Sequence, residues 1–102
     1  MLSNNEFIAR IINLTQGNRK IPSKTKKAFY SGFRLEGNKL FFYRDGPNTD
    51  WAFDIRDLWE VYSTQEFINT SVVKKVLGGR TNSPMLAILI EINCIDEYGR
   101  RI

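Results

Sequence analysis

The stretch from Phe29 to Arg44 constrains the fold more than any other part of the chain. Two runs rich in aromatic and apolar residues flank Glu36-Gly37-Asn38-Lys39, and Gly-Asn suits a two-residue hairpin turn that needs positive φ. With Gly37-Asn38 as the turn, Glu36 faces Lys39, Leu35 faces Leu40, Arg34 faces Phe41, Phe33 faces Phe42 and Gly32 faces Tyr43. Period-two alternation then gathers Phe33, Leu35, Leu40 and Phe42 on one face, which predicts a core face. The opposite face carries Tyr30, Arg34, Glu36, Lys39, Phe41 and Tyr43. That mixture is not what a fully solvated face would choose.

The flanks supply further elements. Asp45-Gly46-Pro47-Asn48 predicts the next turn and Asp50-Trp51-Ala52-Phe53 a third strand, completing an antiparallel meander. Asp54 predicts a helix cap, and Ile55, Leu58, Trp59 and Tyr62 follow helical spacing, so this helix should lie on the sheet with Trp59 and Tyr62 in the core. Upstream, Glu6–Leu14 predicts a helix, although its isoleucines also suit a strand, and Thr15–Lys27, with Gly17 and Pro22, predicts a loop. Downstream, Ser71–Leu77 predicts a short helix stopped by Gly78-Gly79, and Arg80-Thr81-Asn82 a turn. Ser83 predicts the cap of another helix with Pro84 at its first position, running through Met85–Ile92 to a left-handed Asn93. Ile95–Ile102 predicts a hairpin around Tyr98-Gly99. No linker or repeat interrupts the 102 residues. The expectation is one α+β domain over residues 1–102: a three-stranded antiparallel meander packed by helices, with a helix-turn-helix-like unit at its C-terminal end.

Residue counts exclude much chemistry. With no histidine and one cysteine, Ser-His-Asp and Cys-His systems, His-containing metal sites and four-cysteine zinc sites are impossible. Cys94, in Ile92-Asn93-Cys94-Ile95, reads as a small buried hydrophobe. Carboxylates do cluster in sequence: Asp45, Asp50, Asp54, Asp57, Glu60 and Glu66. Yet Asp45–Asp50 fails as a calcium loop, because Asp50 and Arg56 stand where glycine and glutamate are required. The expectation is a protein without enzymatic activity, metal or cofactor. No apolar run approaches the roughly 18 residues of a membrane span, and no basic segment precedes an apolar one at the start. A cytoplasmic protein with no membrane contact follows as the expectation.

Charge is distributed in blocks. Residues 19–44 carry eight basic side chains against Glu36 alone, whereas residues 45–66 carry Arg56 against six acids. Residues 67–102 are basic again, with Lys74, Lys75, Arg80, Arg100 and Arg101. If the fold segregates these blocks, a basic face could meet phosphates; if it interleaves them, they neutralise one another.

Two constellations carry functional expectations. Residues 70–102, two short helices across a glycine-bearing turn followed by Ile95-Asp96-Glu97-Tyr98-Gly99-Arg100-Arg101-Ile102, resemble a winged helix-turn-helix. The resemblance implies DNA contacts from Lys74 and Lys75 on the positioning helix, Arg80 and Asn82 in the turn, and Arg100 and Arg101 on the wing. The would-be recognition helix departs from the family pattern, since Pro84–Ile92 holds only Glu91 as a charge. Apolar residues all round predict a buried helix or a homo-oligomer seam. The second constellation is the other face of the hairpin, where Phe41 and Tyr43, with Tyr30, interleave with Arg34 and Lys39 as in platforms that stack single-stranded bases. Helices on both sides of the hairpin predict instead that this face is covered. The leading expectation is a non-enzymatic nucleic-acid-binding protein acting on DNA, as a regulator or accessory factor. The rival is a protein–protein or homo-oligomerisation module built on Pro84–Ile92.

Overall fold

The computed structural model describes residues 1–17, 19–23, 27–45, 49–79 and 81–102. These form four helices and a four-stranded antiparallel sheet, an α+β arrangement. In chain order they are α1 (Asn4–Leu14), β1 (Lys20–Pro22), β2 (Phe29–Glu36), β3 (Lys39–Arg44), β4 (Thr49–Asp54), α2 (Ile55–Thr64), α3 (Thr70–Leu77) and α4 (Asn82–Glu91). The strands pair in that same order, so the expected meander of β2, β3 and β4 gains β1 along the outside of β2. β1 falls within the stretch expected to be a loop. It has three residues, ends in Pro22 and buries only Ile21, too little to carry a period-two signal. Residues 46–48 of the expected turn after β3 lie outside the described residues.

Near its turn the β2–β3 hairpin has the predicted register: Glu36 pairs with Lys39, Leu35 with Leu40 and Arg34 with Phe41. Further out it slips by one residue. Ser31, not Gly32, pairs with Tyr43, and Tyr30 pairs with Arg44, so Gly32 and Phe33 together oppose Phe42. Gly32 is at φ +67°, the left-handed conformation that opens a glycine-first β-bulge. The bulge inverts the alternation upstream of it. Tyr30, expected on the outer face, turns inward and is 3% exposed. The Tyr43 ring occupies the space that a side chain at position 32 would need, with Cδ2 only 2.5 Å from a Cβ placed there.

Local chemistry accounts for the helix ends. Ser3 Oγ accepts from the Glu6 N–H at 3.2 Å and starts α1; Asp54 accepts from the Arg56 N–H at 2.9 Å and starts α2, as expected. Asn69 accepts from Val72 N–H to start α3, and Gly78 ends it in the left-handed conformation. α4 starts at Asn82 rather than Pro84, and Thr81 gives it no side-chain cap. Pro84 still lies within the first turn, where its missing N–H has no intrahelical partner to lose. Asn93 follows the helix at φ 60°, the left-handed conformation expected of it.

One continuous core joins the inner sheet face to all four helices. Phe42 sits at its centre in the sheet, with ring centroids 5.6 Å from Phe33, 5.7 Å from Tyr30 and 5.8 Å from Phe53. Phe7 of α1 stacks on Tyr62 of α2 at 5.7 Å and touches Trp59 at 5.2 Å. Tyr62 is fully buried as expected, whereas Trp59 is only half-buried. α4 is the core helix: Pro84, Met85, Leu86, Ala87, Ile88 and Leu89 are all buried, against α3 and β1 among others. Of the two readings left open for this apolar helix, burial within its own chain is the one observed. Within the Pro84–Ile92 segment given to a homo-oligomer seam, Pro84–Leu89 are covered by the chain itself, and the half-buried Ile90 is the apolar residue left partly open. No helix among the described residues is long and apolar enough to cross a membrane.

Candidate nucleic-acid interface on the open sheet face

All four helices contribute to the core on the inner face of the sheet, and among the described residues no helix lies over the outer face. The expected cover over the hairpin's second face is absent among the described residues. Phe29, 43% exposed, and Tyr43, 41% exposed, flank this surface with the half-buried Phe41. Tyr43 and Phe41 share it because they are two apart on β3, while Phe29 joins because its partner in β1, Pro22, alternates with the inward Ile21. Unbroken alternation would group Phe29 with Phe33 and Leu35 on the inner face, and the bulge at Gly32 is what turns it outward.

Cations lie over these rings. The Arg34 guanidinium carbon is 4.8 Å from the Phe41 ring centroid, and Lys20 Nζ is 5.8 Å from that of Phe29. The Tyr43 phenol, and then Glu36 at 3.3 Å, hold the Arg34 pKa above its ordinary value. A shallow depression of about 200 Å³ on this side is lined by Arg34, Phe41, Asp50 and Ala52, among others. Lys39, exposed, pairs across β4 with Asp54.

Charge on this face is close to balanced. Against Lys20, Arg34 and Lys39 stand Glu36, Asp50 and Asp54, and Lys20 also bonds Asp45 at 3.0 Å. The acidic block after β3 thus folds back beside the basic block before it. Lys20, with Ser31, pulls the Asp45 carboxyl below its ordinary pKa, and Arg56 pulls Asp54 down to about 2.

The C-terminal candidates are placed differently. Lys74 and Lys75 are exposed in the last turn of α3, Asn82 binds the Gly79 carbonyl at 3.1 Å, and Arg80 lies outside the described residues. Residues 95–102 make a tight turn against the chain before α3, not a projecting wing. Ile95 bridges Arg101 and Phe67 bridges Arg100, while Asp96 Oδ1 accepts from the N–H groups of Tyr98 and Arg100. Gly99, at φ +89°, lies so close to the Ile68 carbonyl that any side chain would collide with it. Arg101, expected to reach phosphates, instead donates from Nη1 to the carbonyls of Tyr62 at 3.2 Å and Ser63 at 3.3 Å. That is a cationic cap on the negative end of α2. Arg10 caps α4 in the same way through the Ile92 carbonyl at 2.7 Å. Arg100 is exposed.

The remaining chemistry-bearing groups do not converge. Among the described residues no three of His, Cys, Asp and Glu come together as a metal-binding group. Cys94 is buried, and that burial pushes its thiol pKa up to about 11, the behaviour of an inert core cysteine. No protein-family model matches the chain, and no curated protein or solved structure is significantly similar to it.

Proposed function

We propose that the protein binds single-stranded nucleic acid on the outer face of its sheet. The observation that carries this reading is the uncovered row of Phe29, Phe41 and Tyr43 with Arg34 and Lys20 over two of the rings. Stacking contributes about 1–3 kcal/mol per base, so three rings supply most of the affinity. Electrostatics supply less, because the cations of this face are matched by carboxylates. At about 0.7 per phosphate, Lys20, Arg34 and Lys39 support a log–log salt slope of no more than about −2. Duplex DNA offers no exposed base faces for these rings, so a single strand is the preferred form. The DNA-reading role that the winged-helix resemblance implies has less support: α4 is buried beyond its first turn and Arg101 caps α2. Lys74, Lys75 and Arg100 remain exposed cations that could add phosphate contacts outside the sheet face.

A protein partner is the second reading, and the near-balanced charge is the observation that favours it. Exposed aromatics beside arginine are also typical of protein interfaces. The two readings separate by titrating labelled single-stranded and duplex oligonucleotides, DNA and RNA, at several salt concentrations. Single-strand binding tighter than duplex binding, weakening modestly with salt, supports the first. No binding to either at low salt leaves the protein partner.

A further inference from the structure

A second cleft opens on the opposite side of the sheet, where the start of α4 meets the ends of β2 and β3. Its volume is about 240 Å³, and its lining includes Lys27, Tyr30, Arg44, Trp51, Ser83 and Pro84. Every charged side chain among the described lining residues is cationic. The ion pairs among the described residues involve neither Lys27 nor Arg44. α4 brings Ser83 and Pro84 of its first turn to the cleft without a side-chain cap, so its positive end meets a lining that holds no carboxylate among the described residues.

Helix ends and lysines alone are common. What sets this cleft apart is Tyr30. It is 3% exposed, it lines the cleft, and among the described residues its hydroxyl has no hydrogen-bond partner. The bulge at Gly32 is what turns this tyrosine inward, toward Arg44 across the strand pair, and the guanidinium acts electrostatically on the phenol. Trp51, also in the lining, holds a buried indole Nε1–H that likewise lacks a partner. A buried indole donor left without an acceptor is costly in a finished fold, and an anion in the cleft would give both it and the Tyr30 hydroxyl an acceptor.

We propose that this cleft binds a phosphate-class oxyanion, with Arg44 and Lys27 neutralising its charge, the Tyr30 hydroxyl donating to it and the first turn of α4 closing the shell. The cleft is smaller than the roughly 300–1,000 Å³ of drug-sized sites, so it suits one anionic group rather than a whole nucleotide. It lies on the inner side of the sheet, so the proposal does not rest on strand binding by the outer face.

The test is titration of the full chain with inorganic phosphate against chloride at constant ionic strength, following the two indole N–H resonances by NMR. Trp51 should shift saturably while Trp59, on α2, does not. Arg44→Gln should weaken the response about tenfold or more, as expected for one charge-assisted hydrogen bond, and Lys27→Gln should weaken it too. Arg100→Gln, outside the cleft, should leave it unchanged. No saturable Trp51 shift, or an undiminished shift in both Arg44→Gln and Lys27→Gln, overturns the proposal; the second variant keeps the test valid if the first does not fold. A second arm compares 5′-phosphorylated with 5′-hydroxyl oligonucleotides. Tighter binding of the phosphorylated strand, lost in Arg44→Gln, identifies a strand end as the source. Equal binding of both strands, with the phosphate response intact, identifies free phosphate or a small phosphorylated molecule.

Discussion

The two faces of one sheet have similar aromatic content and opposite fates. Tyr30, Phe33, Phe42 and Phe53 point inward and are closed over by helices, whereas Phe29, Phe41 and Tyr43 point outward and stay accessible to varying degrees. Strand alternation separates the two sets, but only the helix packing decides which set becomes core. Ring content alone does not distinguish a core from a platform. What distinguishes them here is company. Inner rings meet other rings and aliphatic side chains, and outer rings meet Arg34 and Lys20.

Removing a ring from each face should therefore have unequal consequences. Phe42→Ala, which empties a site that is 1% exposed, should cost about 3–5 kcal/mol in denaturant unfolding. A loss below about 1 kcal/mol would mean that the inner face is loosely packed, and the contrast would collapse.

The boundary between the faces is set by the bulge, so Gly32→Ala comes next in size. The substitution forces a non-glycine residue to φ +67° and drives its Cβ into the Tyr43 ring. The expected cost is about 1–3 kcal/mol, accompanied by altered amide shifts at Tyr30 and Tyr43. A neutral result would show that the strand keeps the unbulged register, with Tyr30 facing outward.

Arg101→Ala sharpens the assignment of the C-terminal segment. Losing the bonds to the Tyr62 and Ser63 carbonyls should cost about 1–2 kcal/mol in thermal or chemical unfolding. Reduced nucleic-acid affinity with unchanged stability would return this arginine to a phosphate-contacting role.

Acid should act more weakly. Asp54 has a folded pKa of about 2, below its ordinary 3.8, because Arg56 and its helix cap favour the ionised form. A depressed carboxyl pKa adds stability that is present above the unfolded value and is lost as pH falls through the folded one. Unfolding free energy should accordingly fall between about pH 4 and pH 2, with Asp54 contributing about 1 kcal/mol after solvent screening of an exposed pair. The drop should shrink in Asp54→Asn, and an equal drop in that variant would place the acid sensitivity elsewhere.

Much of this arrangement is legible from residue patterns. Gly37-Asn38 defines the hairpin register for the residues nearest the turn, Asp54 starts α2, Gly78 ends α3, and the absence of polar residues in Pro84–Leu89 marks α4 as a helix without a solvent face. What escapes the pattern are features decided by one residue or by tertiary contact. Gly32 reads equally well as a paired strand residue, and only its left-handed backbone reveals the bulge that moves Tyr30 across the sheet. The same bulge turns Phe29 outward, against the alternation that would group it with Phe33, and β1 is too short to show a period of its own. Arg101 looks like a wing cation in sequence because its acceptors, the carbonyls at the end of α2, lie far away along the chain. Whether the outer face is covered depends on where all four helices pack, which no local stretch encodes.

The most direct test of the two-faced sheet is the outer double substitution Phe41→Ala with Tyr43→Ala, measured for both stability and single-strand affinity. Stability should stay within about 1 kcal/mol of the parent, as for other surface positions. Affinity for a single-stranded oligonucleotide should fall by about 1–3 kcal/mol for each base that loses its ring, while the salt slope stays unchanged because no cation is removed. Unfolding of the variant would show that these rings are core after all, and undiminished strand binding would show that the outer face is not the site.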